Sequence, residues 1–464
     1  MYAWRQRQAT RLGTSERDDL VVHHWKSPQR RACMEESDFI RDTYDYFLHK
    51  GISNDGLADG VEYTRQKQIV PPWENEVADT TQREETPVDR YGFFDTPDKR
   101  NLPTIVLSRA AYVHRRFFVR ARKTRAPKKR MHQPSAQAVW SVRRHLESLN
   151  EVLELRRTRK WYSMVDEEQR RIRVDVSRDL LLKRVYKGIP DEMRGLAWDA
   201  LSSSQAYGHS QQGTRHRHTP QPVDELLSHA SEHDVQIDLD VPRTVRGHER
   251  FYTRYGRGQC ELFCVLHAMS LFCNECGYCQ GMGPSAAMLL MHMPAQHALK
   301  VMERLHDEYG FHDVYRPGFP GLRSEFYVLR QLLATFVPRF ARILYDAGLA
   351  PSAYATRWLM TVYHGVLPYS TQMRVWDVFM AQGRDALLLV AVAILRVLDA
   401  QRYDEHTSDI LDFVSMQILP EDDNAMLTWI RHAMKDPAVQ SCIAKSRADW
   451  KRLVELGKDV EEFV

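Results

Sequence analysis

From Ala136 to the last residue, apolar side chains recur at steps of three and four, and no convincing run alternates at steps of two. Trp140, Val142, Leu146, Leu149, Val152 and Leu153 set the pattern, which is the stripe an amphipathic helix buries. Similar stripes follow over residues 298–309, 322–336, 340–347, 353–363, 372–380 and 385–399, with amphipathic pieces continuing to Val464. Helices of this kind, joined by short loops, can only bury their stripes against one another. The spacing therefore predicts an all-α body with no fixed-period repeat.

Within that body one stretch carries unusual chemistry. Ile237-Asp238-Leu239-Asp240-Val241-Pro242-Arg243-Thr244 leads into a short helix over residues 245–255 and a long apolar one over residues 259–276. Gly277-Tyr278-Cys279-Gln280-Gly281-Met282 closes it, with Gly277 as a left-handed cap and Pro284 in the first turn of the next helix. Pro242 fixes its own φ and biases Val241 away from helix, so the backbone entering Arg243 is expected to be stiff and non-helical. Arg243 and Gln280 are then polar side chains presented from turns. Asp240 is either an ordinary acid before a turn or the group that orients the Arg243 guanidinium. Tyr278 either packs and donates a hydrogen bond or touches a ligand.

Several function classes drop out. No G-x-x-x-x-G-K-[ST] loop is present, so the chain does not cradle a nucleoside triphosphate in that way, and neither G-x-S-x-G nor H-E-x-x-H occurs. The 65 basic and 61 acidic residues leave a net charge of +4, which makes no case for a nucleic-acid protein. The apolar run Ala386–Leu395 is ten residues, half of what a bilayer requires, and the N-terminus has no apolar signal core. A soluble, intracellular chain is expected. Seven cysteines argue against a disulfide framework. Cys260, Cys264, Cys273, Cys276 and Cys279 cluster, and Cys273 with Cys276 has C-x-x-C spacing, yet the two pairs share one helical region, so buried thiols are expected and no metal.

Residues 1–135 read as a largely irregular extension, with a short helix around residues 38–48 and an ordered segment starting at Asp89-Arg90-Tyr91-Gly92-Phe93-Phe94. Nine Lys or Arg residues fall within 115–130, a solvated basic linker or an anionic-membrane or nuclear-targeting patch. A loop over residues 203–222 holds His209, His216 and His218 and reads as a solvated insertion. The body is assigned to residues 136–440, with a helical tail over residues 441–464.

The pattern resembles the TBC-domain family of Rab GTPase-activating proteins. Ile237, Asp240 and Arg243 match its I-x-x-D-x-x-R motif, and Tyr278 and Gln280 its Y-x-Q motif. Gly188-Ile189-Pro190, Arg194-Gly195, Trp198, Trp358 and Arg374-Val375-Trp376-Asp377 fit as flanks. Ile237–Gly256 and Asp89–Phe93 look most like the RN-tre-like subgroup. The likeness covers roughly residues 140–435, with its core at 187–400. It implies a two-lobed, all-helical domain that binds a GTP-loaded Rab and supplies Arg243 and Gln280 in trans as arginine and glutamine fingers, with Asp240 and Tyr278 in support. The chain would then be a GTPase activator rather than an enzyme in its own right, and would have no cofactor of its own, because GTP and Mg²⁺ arrive with the Rab. The resemblance also implies a peripheral place on endomembranes, through the Rab and with possible help from residues 115–130, and a role in vesicle traffic. A catalytically silent Rab-binding scaffold on the same fold is the alternative, and a zinc-binding module on the cysteine cluster is a second.

Overall fold

The computed structural model describes residues 88–94, 103–113, 135–149, 151–168, 170–173, 175–203, 226–227, 229–254, 256–403 and 412–459. The helix expected at residues 38–48, the basic segment 115–130 and residues 204–222 of the histidine-rich loop lie outside them. The chain forms two compact units, residues 1–100 with 218–303 and residues 101–217 with 304–464.

The described elements relevant here, in chain order, begin with β1 (Thr104–Leu107), α1 (Ala136–Leu149), α2 (Glu151–Tyr162), β2 (Val165–Asp166), β3 (Arg171–Ile172), α3 (Arg178–Val185) and α4 (Asp191–Ser203). Then come α5 (Asp234–Thr244), a one-turn helix Glu249–Tyr252, α6 (Arg257–Phe272), α7 (Met282–Leu290) and α8 (Ala295–Asp307). The chain ends through α9 (Pro320–Phe336), α10 (Pro338–Asp346), α11 (Pro351–Met360), α12 (Tyr369–Gln382), α13 (Asp385–Ala400), β4 (Gln417–Pro420), α14 (Asp423–Lys435) and α15 (Pro437–Glu455). The all-helical expectation holds, with four short strands among the described residues as the correction. Two- to four-residue strands are too brief for an alternating pattern to register.

In the second unit α13 is the central element. Every residue from Ala386 to Leu395 is buried, so the ten-residue apolar run is a helix enclosed on all sides by protein. Around it, α9, α10, α11 and α15 each open on proline, whose missing N–H costs nothing in a first turn. The Asp422 and Asp436 carboxylates cap α14 and α15 by accepting from backbone N–H groups two and three residues on. The parallel pair β1–β4 joins Thr104 to Gln417 and Leu107 to Pro420. Gln401 Nε2 donates to Val106 O at 3.0 Å, fixing the strand from α13's C-terminal side.

Arg194, Trp198 and Trp376 belong to this unit's framework. The fully buried Asp377 carboxylate accepts from Arg194 Nε at 3.1 Å, Trp198 Nε1 at 3.0 Å and the Ile189 N–H at 3.1 Å. One acid thus ties the Gly188-Ile189-Pro190 turn and α4 to α12. The flanking motif residues hold the fold.

Candidate functional site

The first unit is built on α5, α6 and α7, which pack on one another. Helix α5 buries Ile237 and Val241 one turn apart, and with them three acids, Asp234, Asp238 and Asp240. Buried carboxylates need partners, and each has one. Asp234 accepts from the Ser231 N–H at 2.9 Å and pairs with His267 Nδ1 of α6 at 2.5 Å. Asp238 accepts from Arg254 Nη2 at 2.7 Å.

Pro242 lies inside α5, and Arg243 occupies the helix's last turn. The non-helical entry expected from Pro242 is therefore corrected. A proline there deprives the carbonyl four residues earlier, that of Asp238, of its helical donor. Arg254 Nη1 supplies the replacement at 3.3 Å, while its other nitrogen holds the Asp238 carboxylate. Thr244 Oγ1 donates to Asp240 O at 2.8 Å and closes the end of the helix. Nothing in the local sequence announces Arg254 as the donor that makes this helix possible.

The Arg243 side chain is 59% exposed and its guanidinium pairs with Asp240, which is 1% exposed. Asp240 also accepts from Gln236 Nε2 at 3.0 Å, one turn earlier on α5, and from the Tyr278 hydroxyl at 2.9 Å. Burial, with the Asp240 charge adding to it, pushes the Tyr278 phenol well above its ordinary value, so the hydroxyl keeps the proton it donates to Asp240. The structure thus joins Asp240 to Arg243 and Tyr278. Gln236 is the site neighbour that the motif spacing leaves out, although its i, i+4 relation to Asp240 places it on the same face.

Helix α6 ends at Phe272, four residues short of the expected Cys276, and Gly277 lies beyond it in the turn. Gly277 has φ +51°, and a Cβ there would lie 2.3 Å from His233 Nε2, so any other residue would be strained at this φ and would have to displace the imidazole. The Met282 N–H donates to Cys279 O at 2.9 Å and the Gly283 N–H to Gln280 O at 3.3 Å, coiling the turn into α7. Gln280 is exposed. It stands two residues from Tyr278, and Arg243 stands three residues from Asp240. The single Tyr278–Asp240 bond therefore ties together the segments that present the guanidinium and the carboxamide.

The cysteines lie inside. Cys260, Cys264, Cys273 and Cys276 are buried free thiols and Cys279 is half-buried. Burial pushes the Cys260 thiol up to about 12 and raises that of Cys279, which removes both as nucleophiles near neutral pH.

Glu261 of α6 accepts from Arg250 and, at 2.9 Å, from Arg257. Burial alone would raise its carboxyl, but the two guanidiniums outweigh it and hold the group below the ordinary 4.5. A depressed carboxyl contributes stability above its unfolded value that is lost as pH falls through the folded one. Glu261→Gln is expected to cost about 1–3 kcal/mol at pH 7. That difference from wild type should shrink below about pH 4. Thermal unfolding of both proteins across pH checks this; a gap independent of pH would contradict it.

The Rab-GTPase-TBC domain family model matches residues 191–402. The chain carries a TBC domain. Among curated relatives, a TBC domain-containing protein of Schizosaccharomyces pombe is 34% identical over 298 residues, 62% of this chain and 64% of its own length. The Rab GTPase-activating protein tbc-11 of Caenorhabditis elegans is 28% identical over 293 residues, 60% of this chain and 30% of its own length. The chain thus spans less than two thirds of either relative. The crystal structure of the Chlamydomonas flagellar RabGAP TBC domain aligns with 65% of this chain and 98% of its own at 18% identity and a TM-score of 0.48. Both Arg243 and Gln280 fall inside the matched TBC segment.

Proposed function

We propose that this chain is a GTPase-activating protein for a Rab-family small GTPase, acting on GTP-bound Rab through Arg243 and Gln280 and so shortening a membrane-traffic signal. The observation that carries the reading is an exposed guanidinium aimed by a buried carboxylate, in a TBC domain, with the exposed Gln280 two residues along the chain from Tyr278, whose hydroxyl bonds that carboxylate. Hydrolysis builds negative charge on the β- and γ-phosphate oxygens. A guanidinium donates to two of them at once with a geometry lysine lacks. A carboxamide both accepts from and donates to the attacking water and can hold it in line. GTP and Mg²⁺ come with the Rab, and the chain adds only side chains. The chain is thus an activator rather than an enzyme by itself, with a peripheral place on endomembranes through its Rab. No helix among the described residues is long and apolar enough to cross a membrane.

The test is GTP turnover by a panel of Rabs with and without the protein. At least one Rab should be accelerated. Tight binding of GTP-loaded Rab with no acceleration would make the chain a binding scaffold instead. Gln280→Ala should lower the accelerated rate roughly 10²-fold, the scale of a positioned proton-transfer group. Single-turnover kinetics on the most responsive Rab measures it, and an unchanged rate would remove Gln280 from the mechanism.

A further inference from the structure

We propose that residues 88–94 are a positioning strap for the finger-bearing end of α5, and that they belong to the working GTPase-activating unit although they lie far ahead of the TBC match. The inference rests on the function proposed above and adds a part to the same site.

The strap is a small closed loop. Val88 bridges Phe94 antiparallel, and the Asp89 N–H donates to Phe93 O at 2.8 Å. Asp89 Oδ1 accepts from the Tyr91 and Phe93 N–H groups, each at 2.9 Å. Gly92 takes φ +89°, which lets the chain turn back so that its carbonyl points away from the loop's own bonds.

That loop docks on residues 247–252, in the segment that follows the finger helix. The Phe94 N–H donates to Gly247 O at 3.0 Å, and the Glu249 N–H to Gly92 O at 2.9 Å. The imidazole of buried His248 bonds Tyr91 O through Nε2 at 2.8 Å, while its Nδ1 accepts from the Arg250 N–H at 3.0 Å. Those two partners require the neutral tautomer with hydrogen on Nε2. Phe93 meets the His248 ring edge to face at 4.9 Å, and Phe94 meets Tyr252 at 5.0 Å. From the other side, Gln259 Nε2 of α6 donates to Phe251 O at 2.8 Å. The connection from Arg243 to the one-turn helix is therefore held by α6 on its inner side and by the strap on its outer side.

Lifting the strap would return Gly247 O and the Glu249 N–H to water and free residues 245–249. Arg243, one residue before α5 ends, would then sample more orientations. A group used in the transition state pays for such freedom in rate more than in binding. A Cβ on Gly92 would lie 2.9 Å from His248 Nε2, so Gly92→Val should undock the strap. Asp89→Ala removes the turn's acceptor, while Asp89→Asn keeps an oxygen there.

The experiment uses the full chain with two readouts. In hydrogen–deuterium exchange, Gly92→Val should speed exchange over residues 245–249 and leave α6 unchanged; unchanged exchange over residues 245–249 overturns the docking, whatever the activity. In single-turnover GTP hydrolysis on a responsive Rab, Gly92→Val and Asp89→Ala should lower kcat roughly 10-fold with KM within about twofold, and Asp89→Asn should stay near wild type. In an Arg243→Ala background, Gly92→Val should have no further effect. A loss confined to KM, or one that persists without Arg243, would overturn the positioning role. Failure of the wild type to accelerate any Rab would count against the GTPase-activating reading and the kinetic half of this one, leaving the exchange result to decide docking.

Discussion

Arg243→Ala should abolish nearly all acceleration of GTP hydrolysis, a loss of about 10³-fold or more under single-turnover conditions, the scale of an arginine finger. Binding to GTP-loaded Rab should change far less, because charge on the phosphate oxygens grows chiefly in the transition state. Arg243→Lys should recover little, since an ammonium on a flexible stem cannot reproduce the planar, bidentate fork. Stability should barely move in Arg243→Lys and fall by about 1 kcal/mol in Arg243→Ala, where buried Asp240 loses its cation but keeps Gln236 and Tyr278 as donors. The side chain is 59% exposed and its pairing with Asp240 leaves most of it in water. The measurement is paired: GTP hydrolysis on the responsive Rab, and thermal unfolding of the same protein. A variant that unfolds early and loses activity in proportion would show that Arg243 matters for the fold rather than the chemistry.

Asp240→Ala should lower the accelerated rate roughly 10–10²-fold through loss of orientation and weaken the fold more than the finger variants do. The carboxylate is the common acceptor of Arg243, Gln236 and the Tyr278 hydroxyl. Its removal frees the guanidinium and cuts the tie between α5 and the turn bearing Gln280. The phenol and the amide lose a buried acceptor, so a stability cost of about 1–3 kcal/mol should accompany the rate loss. Tyr278→Phe separates the two contributions. It keeps the Arg243–Asp240 pair and breaks only the tie to the Gln280 turn, so it should cost less than Asp240→Ala in rate. Equal losses in the two variants would mean that the tie, not the aiming of Arg243, carries the effect.

The sequence made the helical body readable because long stripes at steps of three and four leave few other options, and α13 shows it most plainly, its ten apolar residues enclosed on every side. Local rules failed where a distant residue changed the balance. Pro242 argues against helix, and only the Arg254 guanidinium, supplied from beyond the next turn, makes the helical end of α5 tolerable. Strands β1 and β4 are four residues each and meet from opposite ends of the chain, so neither has a pattern of its own. At the site, Arg243, Asp240, Tyr278 and Gln280 stood out through motif spacing. Gln236 did not, because it lies outside the motif spacing although it donates to the same carboxylate. Nor did the docking of residues 88–94 on residues 247–249, because hydrogen bonds to backbone carbonyls ask for no particular residue pattern.

The most direct test of the central claim is binding to a responsive Rab carrying GDP with aluminium fluoride, which imitates the phosphoryl group in flight. Wild type should bind that state at least about 10²-fold more tightly than Rab with GDP alone, as expected of a protein complementary to the transition state. Arg243→Ala should lose the difference. Equal affinity of wild type for the two states, or a preference that survives Arg243→Ala, would contradict the two-finger account.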